Sequence, residues 1–225
     1  MKIYSIPSNL KTIIFDIDST LYTNQVYAFE QVDCQVREFA RERGITADEA
    51  RQMVADYRKK FAEKTGGKKV SLGNTLLAFG IPIEKSVEWR KNLLEPSDFL
   101  KKDENLIETM LELKKLYSLI CVTNNPVLPA RKTLEALGIS EFIPEIIGLD
   151  TCYKSKPALE PFKKAIEMTG SQAEECLAVG DRFDMDLSIP IELGMGGILV
   201  TGVSEIYSLK KVIEDYHEKN SSLIN

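Results

Sequence analysis

Ile13-Ile14-Phe15-Asp16-Ile17-Asp18-Ser19-Thr20-Leu21 sets a short apolar run against two carboxylates spaced two apart, followed at once by small hydroxyl residues. A β-branched and aromatic run bounded by turn formers reads as a buried parallel strand. It puts Asp16 at the strand's carboxyl end, where open α/β sheets bind their ligands. Side chains at i and i+2 share a face of an extended chain, so both carboxylates point into one cleft if extended geometry lasts through Asp18. A strand that simply ends in a turn also uses Asp and Ser. The remainder of the chain decides between these two readings.

Three further segments repeat the theme. Residues 119–122 read as a second buried strand, followed by Thr123, Asn124 and Asn125. A helix beginning near Val127 would bring orphan N–H groups beside that hydroxyl and those amides. Lys154-Ser155-Lys156-Pro157 precedes a helical stretch over 159–168, so one lysine can reach the same cleft. Residues 177–179 lead into Gly180-Asp181-Arg182-Phe183-Asp184-Met185-Asp186-Leu187, again an apolar strand ending in acids. A nucleophilic carboxylate, a hydroxyl, a cation and a further acid are the groups that phosphoryl transfer to an aspartate requires. Crowding Asp16, Asp18, Asp181 and an incoming phosphate also calls for a hard cation.

In this order the segments resemble the haloacid dehalogenase superfamily, and within it the aspartate-nucleophile phosphatases. The family's first motif, Asp-x-Asp-x-Thr, stands complete as Asp16-Ile17-Asp18-Ser19-Thr20. Its second, a Ser or Thr at a strand end, falls on Thr123, and its third, a Lys before Pro, on Lys156. Its fourth, Gly-Asp with a further acid, falls on Asp181 with Asp186 or Asp184. The likeness spans most of the chain outside residues 23–96.

The resemblance implies Asp16 as nucleophile, forming an aspartyl-phosphate, and Asp18 as the acid and then the base. It implies Thr123, Asn124 and Lys156 as groups that bind the substrate's phosphate. Mg²⁺ would be held by the Asp16 side chain, the main-chain carbonyl of Asp18 and the Asp181 carboxylate, with Asp186 as a further ligand or a support. Phe162 after Lys156-Pro157 fits the family pattern and leaves Lys154 as a solvated loop residue. Asp186 is preferred over Asp184 as the second acid, with Asp184 acting as a helix cap. The acid at position 18 distinguishes phosphatases from the dehalogenase and phosphonate-cleaving branches. The expected activity is Mg²⁺-dependent hydrolysis of a small phosphate monoester such as a nucleoside monophosphate, phosphoglycolate or a sugar phosphate. A phosphomutase of the same fold, or a binding or regulatory module without turnover, remains the alternative.

The 225 residues, 44% apolar and 28% charged, suffice for one sizeable core and a small appended domain. A net charge of −5 from mixed acids and bases offers no basic field for a nucleic acid polymer. No apolar run is long enough to span a membrane, and the N-terminus is too short and polar for a signal peptide, so the expected location is the cytoplasm. Cys34, Cys121, Cys152 and Cys176 lack metal-site spacing and read as structural thiols, and His217 reads as a surface residue.

After residue 97, alternating helical and strand runs predict a Rossmann-like parallel sheet with helices on both faces, formed by 1–22 and 97–225. Residues 23–96 lack strand runs and carry helical spacing at Val32, Val36 and Phe39, then at Met53, Tyr57 and Phe61. They read as a helical cap inserted after the first strand, with Pro96 as a hinge, expected to close over the site and select the substrate. Its opening and the segment Gly73-Asn74-Thr75-Leu76 faintly resemble the pyrimidine 5′-nucleotidase-like branch. Lys68 and Lys69 after Gly66-Gly67 fit a solvated turn better than an anion contact. Tyr57, Phe61 and Trp89 fit a core better than a stacking platform.

Overall fold

The computed structural model describes residues 1–221; residues 222–225, the end of the expected core segment, lie outside them. The chain forms two compact units, one of Met1–Asn24 with Pro96 onward, the other Gln25–Glu95.

In the larger unit β1 (Lys2–Ser5) and β2 (Thr12–Phe15) come first. After the helices α1 (Gln25–Arg43), α2 (Ala47–Lys64), α3 (Leu72–Ala78) and α4 (Ile83–Leu93) of the smaller unit, the chain returns through α5 (Glu104–Lys114), β3 (Ser118–Val122), α6 (Val127–Leu137), β4 (Glu145–Ile147), α7 (Leu149–Cys152) and α8 (Leu159–Thr169). It ends with β5 (Cys176–Gly180), a π-helical turn (Phe183–Leu187), α9 (Ser188–Glu192), β6 (Gly196–Leu199), α10 (Val203–Ile206) and α11 (Leu209–Ser221). The strands form one sheet in the order β1-β6-β5-β2-β3-β4, parallel except for β1, which pairs antiparallel with β6. That antiparallel edge was not expected from the sequence.

Every residue of β2 and β5 is buried, as central strands covered on both faces require. Ile14, Ile120 and Val122 pack against Phe162 and Ala165 of α8, whereas Ile13 and Phe15 face the other way and are equally buried. The helix boundaries have local causes. Asp103 accepts from the Leu106 amide to start α5, and Gly138, with φ 79°, ends α6 in the left-handed conformation.

The chain runs from β2 outward through β3 to β4, then crosses to β5 on the other side of β2. The strand order therefore reverses at β2, and ligands of open α/β sheets bind at such a switch point. The register aligns the strand ends, since Phe15 pairs with both Cys121 and Val179. Asp16, Thr123 and Asp181 are consequently close to first after three neighbouring strands.

The smaller unit is wholly helical. Thr46 and Glu49 form a reciprocal capping box at the start of α2. Val36, Phe39 and Ala40 of α1 pack with Ala50 and Val54 of α2, Leu72 and Leu76 of α3, Ile81 and Trp89. The buried stripe of α2 thus runs through Ala50 and Val54, and Met53, expected to be inside, is exposed, as is Val32. Tyr57 meets Phe79 edge-on at 5.4 Å, and Trp89 is core. Asp33, buried on α1, accepts from Arg51 of α2 at 2.7 and 2.9 Å and from Arg37 at 2.5 Å, which holds its carboxyl below the usual range. This bidentate pair ties the two long helices together.

Candidate active site

Extended geometry stops at Phe15, so Asp18 does not reach the cleft by strand alternation. The amides of Thr20 and Leu21 both donate to the Ile17 carbonyl, and Ser19 takes the left-handed conformation with φ 63°. This turn, not the pleat, carries Asp18 back towards the end of β3. There its Oδ2 accepts from Asn125 Nδ2 at 2.9 Å and, at a long 3.4 Å, from Thr123 Oγ1. Its Oδ1 accepts from the Tyr22 hydroxyl at 2.5 Å.

Lys156 is the centre of the buried charge. Its Nζ donates to Asp16 Oδ1 at 2.5 Å and to Asp186 Oδ1 at 2.6 Å, with all three side chains almost fully enclosed. Burial works against the lysine's charge, but Asp16 and Asp186 overcome it and hold its pKa above the usual range. Burial pushes the Asp16 carboxyl up to about 7, with Lys156 opposing and Asp186 and Asp18 adding to the rise. Thr20 Oγ1 donates to Asp16 Oδ2 at 3.2 Å.

Asp186 takes its second contact from the Arg182 amide at 3.0 Å, which begins the π-helical turn. The acid that satisfies this turn is Asp186, whereas Asp184, expected to cap a helix, makes no side-chain cap and is exposed. Gly180 makes room for the arrangement: a Cβ there would collide with the Asp186 side chain.

The Asn124 side chain is engaged with the loop that carries Lys156. Its Oδ1 accepts from the Lys156 amide at 2.6 Å and its Nδ2 donates to the Lys156 carbonyl at 3.3 Å, so its amide fixes the lysine's backbone. The α6 N-terminus differs from the expectation. The Val127 amide donates to Asp150 Oδ1 at 2.8 Å, and the Asn125 amide to Thr123 Oγ1 at 3.1 Å, so neither is an orphan donor. Lys154 is exposed. His217 has a ring nitrogen 3.0 Å from the Pro7 carbonyl, and burial raises the thiol pKa of all four cysteines. Tyr22, Thr20 and Asn125 belong to this polar network, and Asp150 caps α6, without having been assigned a role from the sequence. Only the spacing Asp18-x-x-x-Tyr22 pointed to one of them, because residues four apart in a turn can meet.

Asp16, Asp181 and Asp186 each offer a carboxylate oxygen within 4.8 Å of the others. Asp181 Oδ1 is buried and accepts no hydrogen bond, the nearest cation being Arg182 Nε at 3.8 Å, and burial together with Asp186 raises its pKa. A buried carboxylate oxygen without a donor is costly. An all-oxygen set of surplus negative charge is what a hard divalent cation such as Mg²⁺ takes, so these residues fit that ion.

Comparison with known proteins agrees with this geometry. A sequence model of the haloacid dehalogenase-like hydrolases matches residues 10–194. The glyceraldehyde 3-phosphate phosphatase of Methanocaldococcus jannaschii is 29% identical over 200 residues, covering 83% of this chain and 82% of its own. The phosphoglycolate phosphatase of Aquifex aeolicus is 26% identical over 174 residues, covering 76% of each chain. Among solved structures, a phosphatase of the same superfamily from Thermococcus onnurineus superposes with a TM-score of 0.61 at 21% identity, over 91% of this chain and 98% of that one.

Proposed function

The chain belongs to the haloacid dehalogenase-like hydrolases and is one of their small-molecule phosphatases; on that premise we propose that it works through an aspartyl-phosphate on Asp16 and requires Mg²⁺. The observation that supports this most is the buried Asp16–Lys156–Asp186 chain beside the unpartnered oxygen of Asp181, at the aligned ends of β2, β3 and β5.

In this reading an Asp16 oxygen attacks phosphorus while the bond to the leaving oxygen breaks, and Asp18 gives that oxygen its proton. The Asp18 carboxylate then takes a proton from the water that cleaves the aspartyl-phosphate, and inorganic phosphate departs. Lys156 offsets charge on the transferring group, and Thr123 donates a hydrogen bond to it. Asp186 and Asn124 hold Lys156, from its ammonium and its backbone respectively. Asp16, the main-chain oxygen of Asp18 and Asp181 would hold Mg²⁺, which would supply positive charge for the phosphoryl oxygens. The helical unit Gln25–Glu95 is the cap of this fold, inserted between the first and second motifs.

Relatives named for phosphoglycolate and glyceraldehyde 3-phosphate support a short phosphorylated metabolite as the substrate class. Nucleoside monophosphates and sugar phosphates complete the panel. No described helix is long and apolar enough to cross a membrane, and we assign the protein to the cytoplasm.

Phosphate release from this panel, with Mg²⁺ and with EDTA, tests the reading. Turnover is expected only with Mg²⁺. The ion should also raise the melting temperature in the absence of substrate, since a ligand at ~100 times its Kd stabilises by about 2.7 kcal/mol. Full turnover in EDTA would remove the metal from the account. Isomerised product without free phosphate would make the protein a mutase.

A further inference from the structure

We propose that Tyr22 is a positioning residue for Asp18, holding its carboxyl group where it can protonate the leaving oxygen; this rests on the assignment of Asp18 as the acid. Asp18 is half-buried on a turn, with two free side-chain torsions and the charge of Asp16 nearby, so nothing in its own backbone fixes its carboxyl plane. The network around it does. Tyr22 Oη donates to Oδ1 at 2.5 Å, and Asn125 Nδ2 donates to Oδ2 at 2.9 Å from the end of β3. One donor comes from the same turn and the other from the neighbouring strand end, so the plane is pinned from two sides.

Tyr22 suits this task. It is 3% exposed, its ring has only two torsions, and it lies four residues after Asp18, where the Ile17–Leu21 turn returns the chain. A buried tyrosine hydroxyl generally finds a partner, and an ordinary partner would be a carbonyl. Here it spends its proton on the acid of the first motif. In the first half-reaction the P–O bond to the leaving group breaks as the bond to Asp16 forms, and the proton passes from Asp18 to the departing oxygen. An acid misplaced by one lost contact transfers that proton less well, and the loss is felt only by leaving groups that need it.

The test compares kcat/KM for two esters in Tyr22→Phe, which keeps the ring and removes one oxygen. One ester is the best alkyl phosphate of the panel, whose alkoxide must be protonated. The other is 4-nitrophenyl phosphate, whose phenolate departs without a proton. The variant should lose about 10-fold or more on the alkyl ester and stay within ~2-fold of wild type on the aryl ester. The ratio of the two values is independent of the fraction of folded protein, so a destabilised variant still reports. Equal losses on both esters, or no loss on either, would overturn the role of Tyr22. Asp18→Asn run alongside separates this from the underlying reading. If it too leaves the ratio unchanged, Asp18 is not the acid; if it alone collapses the ratio, only the role of Tyr22 fails.

Discussion

Asp16→Asn is expected to abolish turnover of every phosphate ester while the protein stays folded. The amide is nearly isosteric but cannot attack phosphorus to give an acyl phosphate, and removing a covalent nucleophile costs on the order of 10⁴-fold or more. The fold should not suffer. Burial raises the Asp16 pKa to about 7, so the folded state binds a proton more readily there than the unfolded chain, and stability falls as pH climbs from the ordinary carboxylate range towards 7. A neutral side chain removes that loss, and Lys156 retains Asp186. The same change takes from Lys156 one of the two carboxylates that hold its charge, so the two effects oppose and melting in EDTA at neutral pH should stay near wild type. A variant that melts normally and still hydrolyses phosphate esters near the wild-type rate would show that Asp16 is not the nucleophile.

Lys156→Met should be the second most damaging change, and for two separable reasons. As a cation on the transferring group Lys156 contributes about 2 to 4 kcal/mol to the transition state, so kcat/KM should fall roughly 30- to 1000-fold. Methionine has a similar volume, but it leaves Asp16 and Asp186 facing each other without a counter-charge. Removing one partner of a buried ion pair costs about 3 to 5 kcal/mol. The pH dependence has a definite sign. Without Lys156 the Asp16 carboxyl loses the cation that opposes its upward shift, so the folded state holds a proton there more readily than the unfolded chain and the variant gains stability as pH falls. Its deficit in melting temperature against wild type should shrink from about pH 8 to about pH 5, and Mg²⁺ should shrink it as well. Lys154→Met, at an exposed position, is the control and should change neither quantity. A larger loss at Lys154 would move the phosphate clamp to that residue.

The parts of the site legible from the sequence are those that sit directly after buried strands. Central parallel strands are covered on both faces, so β2, β3 and β5 read as short unbroken apolar runs, and Asp16, Thr123 and Asp181 are marked by where those runs stop. The edges of the sheet are different. β1 is exposed along its whole length and carries no burial pattern, and β6 begins with Gly196-Gly197, residues that argue against a strand. The structure supplies the reason for Gly196: a Cβ there would lie 2.5 Å from Pro7 Cδ and 2.8 Å from the Ser5 carbonyl oxygen, where the chain leaves the neighbouring strand β1. Asp18 was placed in the correct cleft by the wrong geometry, because alternation along a strand and return through a tight turn both bring i and i+2 near each other. The brace that the Asn124 side chain gives the Lys156 backbone was not legible, because the two are remote in sequence and no local pattern reveals a side chain that holds a distant loop. Asp150 escaped notice for the same reason, since its carboxylate caps α6 from another segment. In α2 the buried stripe runs through Ala50 and Val54, one position round the helix from the expected Met53.

The most direct test is to mix wild-type enzyme with its best substrate in the presence of Mg²⁺, quench in acid within one turnover, and map the protein by peptide mass spectrometry. One phosphoryl group is expected on the peptide containing Asp16, absent from Asp16→Asn. Phosphate on another residue, or none while a full equivalent of product forms within that turnover, would contradict Asp16 as the nucleophile.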